Sequence, residues 1–542
     1  MLQGTPILVL KEGTERDRGR SAANSNIAAA RAIADAVRST LGPRGMDKML
    51  VDSMGDITIT NDGVTILKEV DVEHPAAKML VEVAKTQDQQ CGDGTTTAVV
   101  LAGELLKRAE GLLEQNIHPT IIVRGFQLGL QEAQRLLETE IGTKVKADDD
   151  QVLYEVASTA MGSKGVFGSR EKLAHIAVKA VKRITEQRGG KAVADTSQIK
   201  LEKRHGGTID DTSLIEGIIL DKERGHPRMP RTVKDAKLAL LNSSLEIKKT
   251  EIESKINIKS PTQIQGFLDE EDRTFRKIVE SVKAAGANVV VCQKGIDDVV
   301  LHYLAKEGIY AVKQVKESDL QKLARATGAK IVTGIRELTA ADLGRAAAVE
   351  EKKVGEEDMT YVTGCQNPRS VSILIRGGTE HVTQEVERAL DDALKVVASV
   401  IEDGVICPGG GATEIDLAVK LRQFAPSVGG REQLAVEAFA QSLEVVPWAL
   451  SENGGYDSIN TLLELRGAHG GPHANRNVGV NLLDGKAADM VKLQVVEPLR
   501  VKRQALSSAV EVATMVLRID DVIASKKGSS GPPGGAGGGH GH

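Results

Sequence analysis

The clearest pattern along the chain is a helical spacing of apolar residues near both ends. Four segments before residue 145 repeat apolar residues three or four apart, the spacing of one helix face: SAANSNIAAARAIADAVRSTLG, PAAKMLVEVAKTQ, TTTAVVLAGELLKRAEGLLEQ and RGFQLGLQEAQRLLETE. The spacing returns after about residue 404, in REQLAVEAFAQSLEVVPWALSENGG and VKRQALSSAVEVATMVLRIDDVIA. Because both ends share this character, we expect the chain to leave one helical domain, build the middle and return to complete the first domain.

One stretch between the N-terminal helices alternates instead. In DITITNDGVTIL, Ile57 and Ile59 alternate with polar residues. Val64 and Ile66 resume the alternation after the turn sequence Asn-Asp-Gly. The pattern predicts a β-hairpin with Asp62 at its tip, where an aspartate is commonly a turn residue.

From about 218 to 365 the pattern changes to short β runs separated by single helices. The strand-like runs are KLALLN, NVVVCQ, YAVKQV and KIVTGI. Between them, GIDDVVLHYLAKEG and SDLQKLARATG are helix-like and end in glycine. This alternation predicts an α/β module.

A charged excursion, LEIKKTEIESKINIKSPTQIQGFLDEEDRTFRKIVESVKAAG, interrupts that module. Its second half begins with Ser260 and Pro261 in the cap and first-turn positions of a helix, although Gly266 weakens the pattern. The apolar residues that then recur at helical spacing are Ile264, Phe267, Leu268, Phe275, Ile278 and Val279. The excursion is either a helix packed on the module or a protruding arm.

Length and composition indicate a soluble globular protein with several cores. The chain has 542 residues, of which 41% are hydrophobic and 27% charged. No apolar run approaches the roughly 18 residues that indicate a membrane span. The N-terminal MLQGTPILVLKEGTERDRGR lacks the basic flank and cleavage site of a secretory signal, which favours an intracellular location. The final GSSGPPGGAGGGHGH is a low-complexity tail that we expect to be disordered.

Charge and cysteine content exclude some function classes. The net charge is -5, from 70 basic and 75 acidic residues, so the composition does not indicate a large basic surface that would bind nucleic acid. One Trp, five Tyr and six Phe leave little for base stacking. Four cysteines lie far apart, without metal-ligand spacing, and we expect ordinary reduced thiols. They are Cys91, Cys292, Cys365 and Cys407.

The stretch CGDGTTTAVVLAGELL, residues 91–106, is the strongest candidate for chemistry. Backbone amides at a helix start are unpaired and partly positive, so Gly-Asp-Gly-Thr-Thr-Thr before an apolar helix is a plausible phosphate cradle. Asp93 would repel a phosphate, but it could hold the magnesium ion that accompanies a nucleotide. The lysine of a Walker-type loop is missing. A capped helix after a glycine turn is the alternative.

Other segments add weaker candidates. LGPRGM, residues 41–46, breaks a helix and exposes backbone, as does the glycine run 409–411 before ATEIDLAVKL. Lys164 lies between glycines in MGSKG, and Asp391 and Asp392 are adjacent in VERALDDALKVV. Each also fits a plain turn, a capped helix or a solvated face. No metal-binding histidine pair or nucleophile elbow is present in the sequence.

Taken together, the chain resembles the group II chaperonins, the family of the archaeal thermosome and the eukaryotic cytosolic chaperonin. The strings that carry the resemblance follow in order: LGPRGMDKML, ITNDGVTIL, GDGTT, RGGTEHV, ERALDDAL, PGGGATE, ENGGYD and VVEPLRVKRQAL. Because one chain carries complete versions of all the motifs and a glycine-rich tail, the resemblance favours an archaeal thermosome subunit.

The resemblance implies a multi-domain fold with a mostly α-helical equatorial domain built from both chain ends. A small α/β intermediate domain would connect it to an α/β apical domain whose excursion is a helical lid protrusion. The implied boundaries are 1–148 and 404–525 for the equatorial domain, 149–217 and 368–403 for the intermediate domain, 218–367 for the apical domain with the lid at about 244–275, and 526–542 for the tail.

The function implied is that of an ATP-dependent chaperone and ATPase. Identical or homologous subunits would form two stacked rings, of eight or nine subunits each, that encapsulate non-native polypeptides and close a built-in lid. No nucleic acid or membrane partner is expected, and the location would be cytoplasmic. Two rivals are a soluble ATP-dependent small-molecule enzyme and a ring-forming scaffold whose nucleotide site is spent.

The family's nucleotide-binding residues carry over where the strings match. Gly42, Gly94, Thr95, Thr96 and Thr97 would contact the phosphates of ATP or ADP, and Asp93 would bind Mg²⁺. From the intermediate domain, Ser163 and Lys164 would reach the phosphates, although MGSKG is a loose version of the motif. The remaining residues, which would line the nucleotide, are Gly410 or Gly411, Glu497 and Lys502.

The resemblance also implies the catalytic carboxylates. Asp62 and Asp392 would orient or activate the attacking water, as in-line attack on a phosphate requires. Asp391 is the rival of Asp392, which better matches the family's Asp-Ala-Leu ending. Because Asp392 lies in the intermediate segment and Asp93 in the equatorial one, closure would complete the site.

A site for non-native polypeptides should be apolar and adaptable. The helix predicted at about 297–306 is a candidate, and burial against the apical sheet is the alternative for at least half of its apolar positions. These are Val299, Val300, Leu301, Tyr303 and Leu304.

Overall fold

The structure is a computed structural model, and it describes residues 14–165, 168–246, 261–367, 369–471 and 474–525. The N-terminal stretch, most of the first half of the charged excursion and the glycine-rich tail lie outside the described residues. So does Ser260, the predicted cap of the helix in the excursion.

The helices of the described residues are α1 (Arg20–Arg38), α2 (Gly63–Glu69), α3 (Pro75–Cys91), α4 (Thr95–Glu114), α5 (Pro119–Leu136), α6 (Asp150–Ala160), α7 (Arg170–Ile184), α8 (Pro261–Ala285), α9 (Asp298–Lys306), α10 (Glu317–Thr327), α11 (Glu380–Asp403), α12 (Ala412–Val428), α13 (Glu432–Leu443), α14 (Val445–Asn453), α15 (Ser458–Gly470) and α16 (Leu499–Leu517).

The strands of the described residues are β1 (Thr14–Arg18), β2 (Lys48–Val51), β3 (Ile57–Thr60), β4 (Thr143–Lys144), β5 (Glu186–Arg188), β6 (Lys191–Val193), β7 (Lys200–His205), β8 (Ser213–Ile215), β9 (Gly217–Leu220), β10 (Thr232–Leu241), β11 (Val289–Cys292), β12 (Tyr310–Val312), β13 (Ile331–Val332), β14 (Gly344–Val354), β15 (Glu357–Cys365), β16 (Ser372–Gly377), β17 (Val405–Pro408), β18 (Val478–Val480), β19 (Ala487–Asp489), β20 (Val496–Pro498) and β21 (Asp521–Ser525).

The two ends of the chain build one helical core, as the sequence predicted. Buried residues between 27 and 141 pack with buried residues between 407 and 517, and we call this set the terminal core. The rings of Phe126 on α5 and Phe439 on α13 lie 6.2 Å apart within it. Strand β1 also pairs antiparallel with β21, so the two ends are joined by backbone hydrogen bonds.

The hairpin predicted around Asp62 is wrong. Strand β3 pairs antiparallel with β2, which precedes it, and the chain after Asp62 forms helix α2. The Asp62 carboxylate caps this helix by accepting a hydrogen bond from the Thr65 amide at 3.0 Å. Val64 and Ile66 are both buried, with Leu67 beside them, because one helix face rather than one strand face is covered.

A second core, which we call the middle core, joins two separate stretches of the chain. Buried residues between 153 and 199 pack with those between 371 and 401, bringing helices α6, α7 and α11 together. Strand β16 runs parallel to β7 and antiparallel to β8 at one side of this core. Helix α11 is 24 residues long and carries Asp392 near its middle.

The predicted α/β module is a seven-stranded mixed sheet with helices on both faces. The strand order is β12-β11-β10-β14-β15-β9, and β13 pairs with β10. One face packs on α8 and α9 and the other on α10. The four predicted strands form, and the long hairpin of β14 and β15 was not anticipated. The three regions together confirm the predicted multi-domain fold class.

Helix α8 contains the second half of the charged excursion. It begins at Pro261, as predicted, and runs through Gly266 without interruption. Phe275 and Val279 are buried against the sheet, and Ile278 is packed there in part, so this end of the helix belongs to the module. The side chains of Ile264, Phe267 and Leu268 lie outside the described residues.

Helix α9 buries most of the apolar positions proposed for substrate. Val300, Leu301 and Leu304 are buried against the sheet, whereas Val299 is 41% exposed. The Tyr303 hydroxyl donates a hydrogen bond to Asp272 of α8. The burial alternative therefore holds for three of the five positions.

Two further predictions concern the whole chain. Within the described residues, no helix combines the length and the apolarity needed to cross a membrane. All four cysteines are free, and burial raises the pKa of the Cys91 thiol to about 11. They are ordinary buried or half-buried thiols, as expected.

Candidate functional site

A cavity of about 490 Å³ lies where the terminal and middle cores meet. Every residue carried over from the family's motifs lines it, although these residues come from well-separated segments of the chain. They are Gly42, Asp62, Asp93, Gly94, Thr95, Thr96, Thr97, Ser163, Lys164, Asp392, Gly410, Gly411, Glu497 and Lys502.

The start of helix α4 forms one wall of the cavity. Gly94 precedes the first turn in the left-handed region, at φ 79°, and has no side chain to cap the helix. The first intrahelical bond of this end is donated by Ala98, so the amides of residues 95–97 have no hydrogen-bond partner among the described residues. Three amides aimed from a helix start make an anion-binding wall.

Two other glycine segments bring bare backbone to the same cavity. Gly411 precedes helix α12 at φ 79°, and Gly42 follows α1 at φ 84°. A side chain at Gly42 would collide with Leu450, and one at Gly411 would meet Pro447 at 2.9 Å. Glycine is needed at both positions for its backbone angle and for the close approach.

Asp62 and Lys164 form an ion pair across the boundary between the cores. The Lys164 ammonium lies 3.5 Å from an Asp62 carboxylate oxygen, and the other oxygen accepts a hydrogen bond from the Thr65 hydroxyl at 2.7 Å. Burial raises the pKa of Asp62, but Lys164 and Thr65 outweigh it, so the pKa lies below its usual value. Asn61 next to it donates a hydrogen bond to the Ser163 carbonyl.

Asp392 provides the second carboxylate beside Lys164, with one of its oxygens 3.2 Å from the Lys164 ammonium. Burial raises the pKa of Asp392 well above its usual range, and the negative charges of Asp62 and Asp93 add to the effect. For Lys164, burial alone would lower the pKa, but Asp392 and Asp62 raise it above its usual value. The lysine therefore stays charged between two carboxylates of unequal acidity.

Asp391 points elsewhere, although it is adjacent in sequence. Its carboxylate pairs with Lys395 at 2.8 Å and is not among the cavity's lining groups. Lys395 also pairs with Asp88 at 3.0 Å. The geometry places only Asp392 of the two aspartates beside Lys164.

Asp93 provides a carboxylate beside the amide wall. One of its oxygens accepts a hydrogen bond from the Gly94 amide at 2.6 Å, and its carbonyl accepts one from Gln87 at 2.8 Å. Burial raises the pKa of Asp93 above its usual value. Carboxylates and threonine hydroxyls are hard oxygen donors, so the residues present suit Mg²⁺ bound together with a phosphate chain.

A second lysine, Lys502, lies between two glutamates. Its ammonium is 2.7 Å from Glu497 and 2.8 Å from Glu414. Burial lowers the pKa of Lys502, but the two carboxylates raise it well above its usual value overall. Burial also raises the pKa of Glu497. Glu414 is only 2% exposed and was not anticipated.

Another wall of the cavity is apolar, and the sequence did not predict it. Much of it comes from the chain around β18 and β19, where Leu483 is 81% exposed and Leu493 42%. An apolar wall beside a charged one suits a ligand with a flat base at one end and phosphates at the other. The lining apolar residues are Leu41, Pro43, Ala160, Val446, Leu450, Val480, Leu482, Leu483, Met490, Leu493 and Val495.

Several polar lining residues were also missed. Asn61 adjoins Asp62 in the same motif string, which was a usable signal, and Arg170 begins α7 shortly after Lys164. Arg44 lies within LGPRGM, another of the motif strings. Asn481 and the apolar wall around it carry no motif that distinguishes them from core residues.

Comparison with known proteins gives one consistent match. The model of the TCP-1/cpn60 chaperonin family matches residues 33–527. The chain is 59% identical to thermosome subunit alpha of Thermoplasma acidophilum over 533 residues, covering 98% of this chain and 96% of that one. It is 57% identical to thermosome subunit beta of Archaeoglobus fulgidus over 525 residues, covering 97% and 96%. An open-state monomer of a group II chaperonin from Methanococcoides burtonii matches with a TM-score of 0.61 at 45% identity, covering 79% of this chain and all of that one.

Proposed function

We propose a residue-level mechanism for this chain, which belongs to the TCP-1/cpn60 chaperonin family. The chain is a subunit of an ATP-dependent double-ring chaperone and an ATPase. The proposal is that ATP is hydrolysed in the cavity between the terminal and middle cores, and that hydrolysis drives closure over a polypeptide. The single observation that supports it most is the convergence of residues from both cores on Lys164.

The binding roles follow from the charge distribution of the walls. The amides of residues 95–97 donate hydrogen bonds to the phosphate oxygens, and the bare backbone at Gly42 lets the phosphates approach closely. Lys164 neutralises part of the phosphate charge. Asp93 would hold the Mg²⁺ that accompanies the nucleotide, and the ion would neutralise more of the charge of the phosphate chain. The apolar wall around β18 and β19 contacts the base, with Gly410 and Gly411 beside it.

The catalytic roles belong to the two carboxylates on Lys164. Asp62 and Asp392 accept hydrogen bonds from the attacking water and align it with the terminal phosphate. Asp62 is fixed by its capping bond to Thr65, whereas Asp392 lies on α11 of the middle core. A movement of the middle core therefore changes the distance between the two groups that must act together.

We assign the moving parts to the boundaries given by the family resemblance. Residues 1–148 with 404–525 form the equatorial domain, 149–217 with 368–403 the intermediate domain, and 218–367 the apical domain. The segment at about 244–275 is the lid, and residues 247–260 of it lie outside the described residues. The polypeptide partners are non-native chains, the rings are two stacked rings of identical or homologous subunits, and the location is the cytoplasm.

Electron microscopy of the purified chain combined with an ATPase assay tests the proposal. We expect double rings that hydrolyse ATP with Mg²⁺ and lose turnover when EDTA removes the metal. A monomer that turns over ATP would favour the small-molecule enzyme instead. Rings without ATP turnover would favour the scaffold whose nucleotide site is spent.

Deleting residues 244–275 tests the lid assignment separately. We expect the deletion variant to keep its rings and its ATPase activity but to stop protecting a bound non-native polypeptide from protease. The full-length ring with ATP is the control. A lidless ring that still shields its polypeptide would contradict the assignment.

A further inference from the structure

Helix α15 contains a buried histidine, His469, whose side chain has no exposed surface. Its Nε2 lies 2.7 Å from the Val478 carbonyl oxygen, and its Nδ1 lies 3.1 Å from an Asp416 carboxylate oxygen. Both neighbours are hydrogen-bond acceptors. Neutral imidazole has only one N–H, so it would leave one buried nitrogen facing an acceptor with no proton between them.

The two acceptors lie on segments that lead into different walls of the nucleotide cavity. Asp416 lies on α12, whose first turn follows Gly410 and Gly411. Val478 begins β18, and the amide of Val480 two residues later donates to the Gly410 carbonyl at 2.9 Å. The hairpin of β18 and β19 and the chain after it supply most of the apolar wall. His469 thus connects the two segments without lining the cavity itself.

Asp416, the charged partner of His469, is itself held by a lysine. Asp416 is 3% exposed, and its second carboxylate oxygen lies 3.0 Å from Lys420, which in turn pairs with Glu140. Burial raises the pKa of Asp416, but His469 and Lys420 outweigh it, so this pKa lies below its usual value.

The other charged groups around α15 have partners of their own. Asp489 of β19 accepts a hydrogen bond from Asn475. Glu444, immediately before α14, pairs with Arg422 and with Arg466 of α15 itself. Glu452 of α14 lies 3.8 Å from Arg38. Asp416 is therefore the charged group bonded directly to the ring.

We propose that His469, in contact with both acceptors, is a positioning residue for nucleotide binding. It holds the β18–β19 hairpin against helix α12 and so fixes the width of the cavity on the side of the base. This inference rests on the nucleotide cavity proposed above. Because His469 does not contact Lys164 or its carboxylates, it acts on nucleotide affinity rather than on the rate of the chemical step.

The test compares His469→Gln with the matched control His381→Gln, which replaces an exposed histidine on α11. Both are studied as assembled rings purified by size. We expect His469→Gln to weaken ATP affinity and raise KM by roughly tenfold, as for loss of a hydrogen bond to a charged group. Turnover at saturating ATP should stay within about twofold of wild type, as for a group outside the reacting atoms.

A second variant separates the contact to Asp416 from simple packing. Asp416→Asn removes the carboxylate charge but keeps the shape of the side chain, so it should also weaken ATP affinity while turnover at saturating ATP stays within about twofold of wild type. It also serves as the test if His469→Gln does not assemble. Identical KM values in wild type and both variants would overturn the inference. Failure of wild-type rings to bind ATP would instead overturn the proposed function.

Discussion

Two buried lysines line the same cavity, and each lies between two carboxylates. Lys164 lies 3.5 Å from Asp62 and 3.2 Å from Asp392, contacts made across the boundary between the two cores. Lys502 lies 2.8 Å from Glu414 and 2.7 Å from Glu497, and all three of these residues come from the C-terminal part of the chain. The pairs that cross the boundary are longer, and the pairs within one part are shorter.

The difference distinguishes a cluster whose contacts can change during the reaction cycle from a cluster whose contacts stay fixed. A lysine whose partners belong to one packed region cannot lose them without unfolding that region. A lysine whose partners belong to two regions can lose or tighten its contacts when the regions move. We therefore assign catalysis and its coupling to closure to the Lys164 cluster, and support of the nucleotide wall to the Lys502 cluster.

The largest expected effect is on hydrolysis, from Asp392→Ala. Removing a carboxylate that aligns the attacking water should slow turnover by about 100-fold or more, since general acid–base groups contribute roughly that much. ATP affinity should stay close to wild type because the amide wall and Lys164 remain. Single-turnover hydrolysis and equilibrium ATP binding measure the two quantities, and unchanged turnover would remove the role assigned to Asp392.

The next effect is on stability, from Lys502→Met compared with Lys164→Met. Lys502→Met leaves two buried glutamates facing each other, and breaking such a cluster costs about 3–5 kcal/mol of unfolding free energy. For Lys164→Met we expect a smaller loss, about 1–3 kcal/mol, because its two carboxylate partners belong to regions that can move apart, whereas those of Lys502 belong to one region. Thermal unfolding of both variants gives the comparison. Equal losses would erase the distinction drawn between the two lysines.

The sequence predicted most residues of the two lysine clusters, but not the contacts between them. The motif strings predicted Asp62, Lys164, Asp392, Glu497 and Lys502 as site residues, and the structure brings all of them to one cavity. The ion pairs themselves were not predictable, because they depend on tertiary contacts between segments hundreds of residues apart.

The errors have the same origin. The apolar alternation around Asp62 fitted a strand locally, but the capping bond to Thr65 and burial of Val64 and Leu67 on one face decide for a helix. Glu414 is the last residue of the PGGGATE string, but its role as a partner of Lys502 appears only in the fold. The apolar wall has the composition of a core in the sequence, and several of its residues are buried in the fold, so only its place beside the cavity distinguishes it.

A smaller effect is expected on the pH dependence of stability, through the two carboxylates that contact Lys164. The folded pKa of Asp392 is raised, so its charge costs stability once the pH exceeds its ordinary value, and this cost disappears in acid. The folded pKa of Asp62 is lowered, so its charge adds stability above pH 3.8, and this is lost as the pH falls through the folded value. Near neutral pH, Asp392→Asn should therefore stabilise and Asp62→Asn destabilise, each on the order of 1 kcal/mol. Unfolding temperatures measured from about pH 2 to pH 7, a range that extends below the ordinary pKa of a carboxyl group, test both signs. The same sign for both variants would contradict the assignment.

The smallest effect is expected from Asp391→Ala, and it sharpens the contrast because it changes the residue next to Asp392. Asp391 is half exposed and pairs with Lys395, which keeps its second partner, Asp88, in the variant. An exposed ion pair contributes about 0–1 kcal/mol, so neither stability nor assembly should change much. Turnover should stay within about twofold of wild type, because the carboxylate on Lys164 is untouched. The same single-turnover assay that shows a large loss for Asp392→Ala measures this. A loss of similar size for both variants would mean that hydrolysis depends on the total charge of α11 and not on the contact between Asp392 and Lys164. The Lys164 cluster would then have no specific role in hydrolysis.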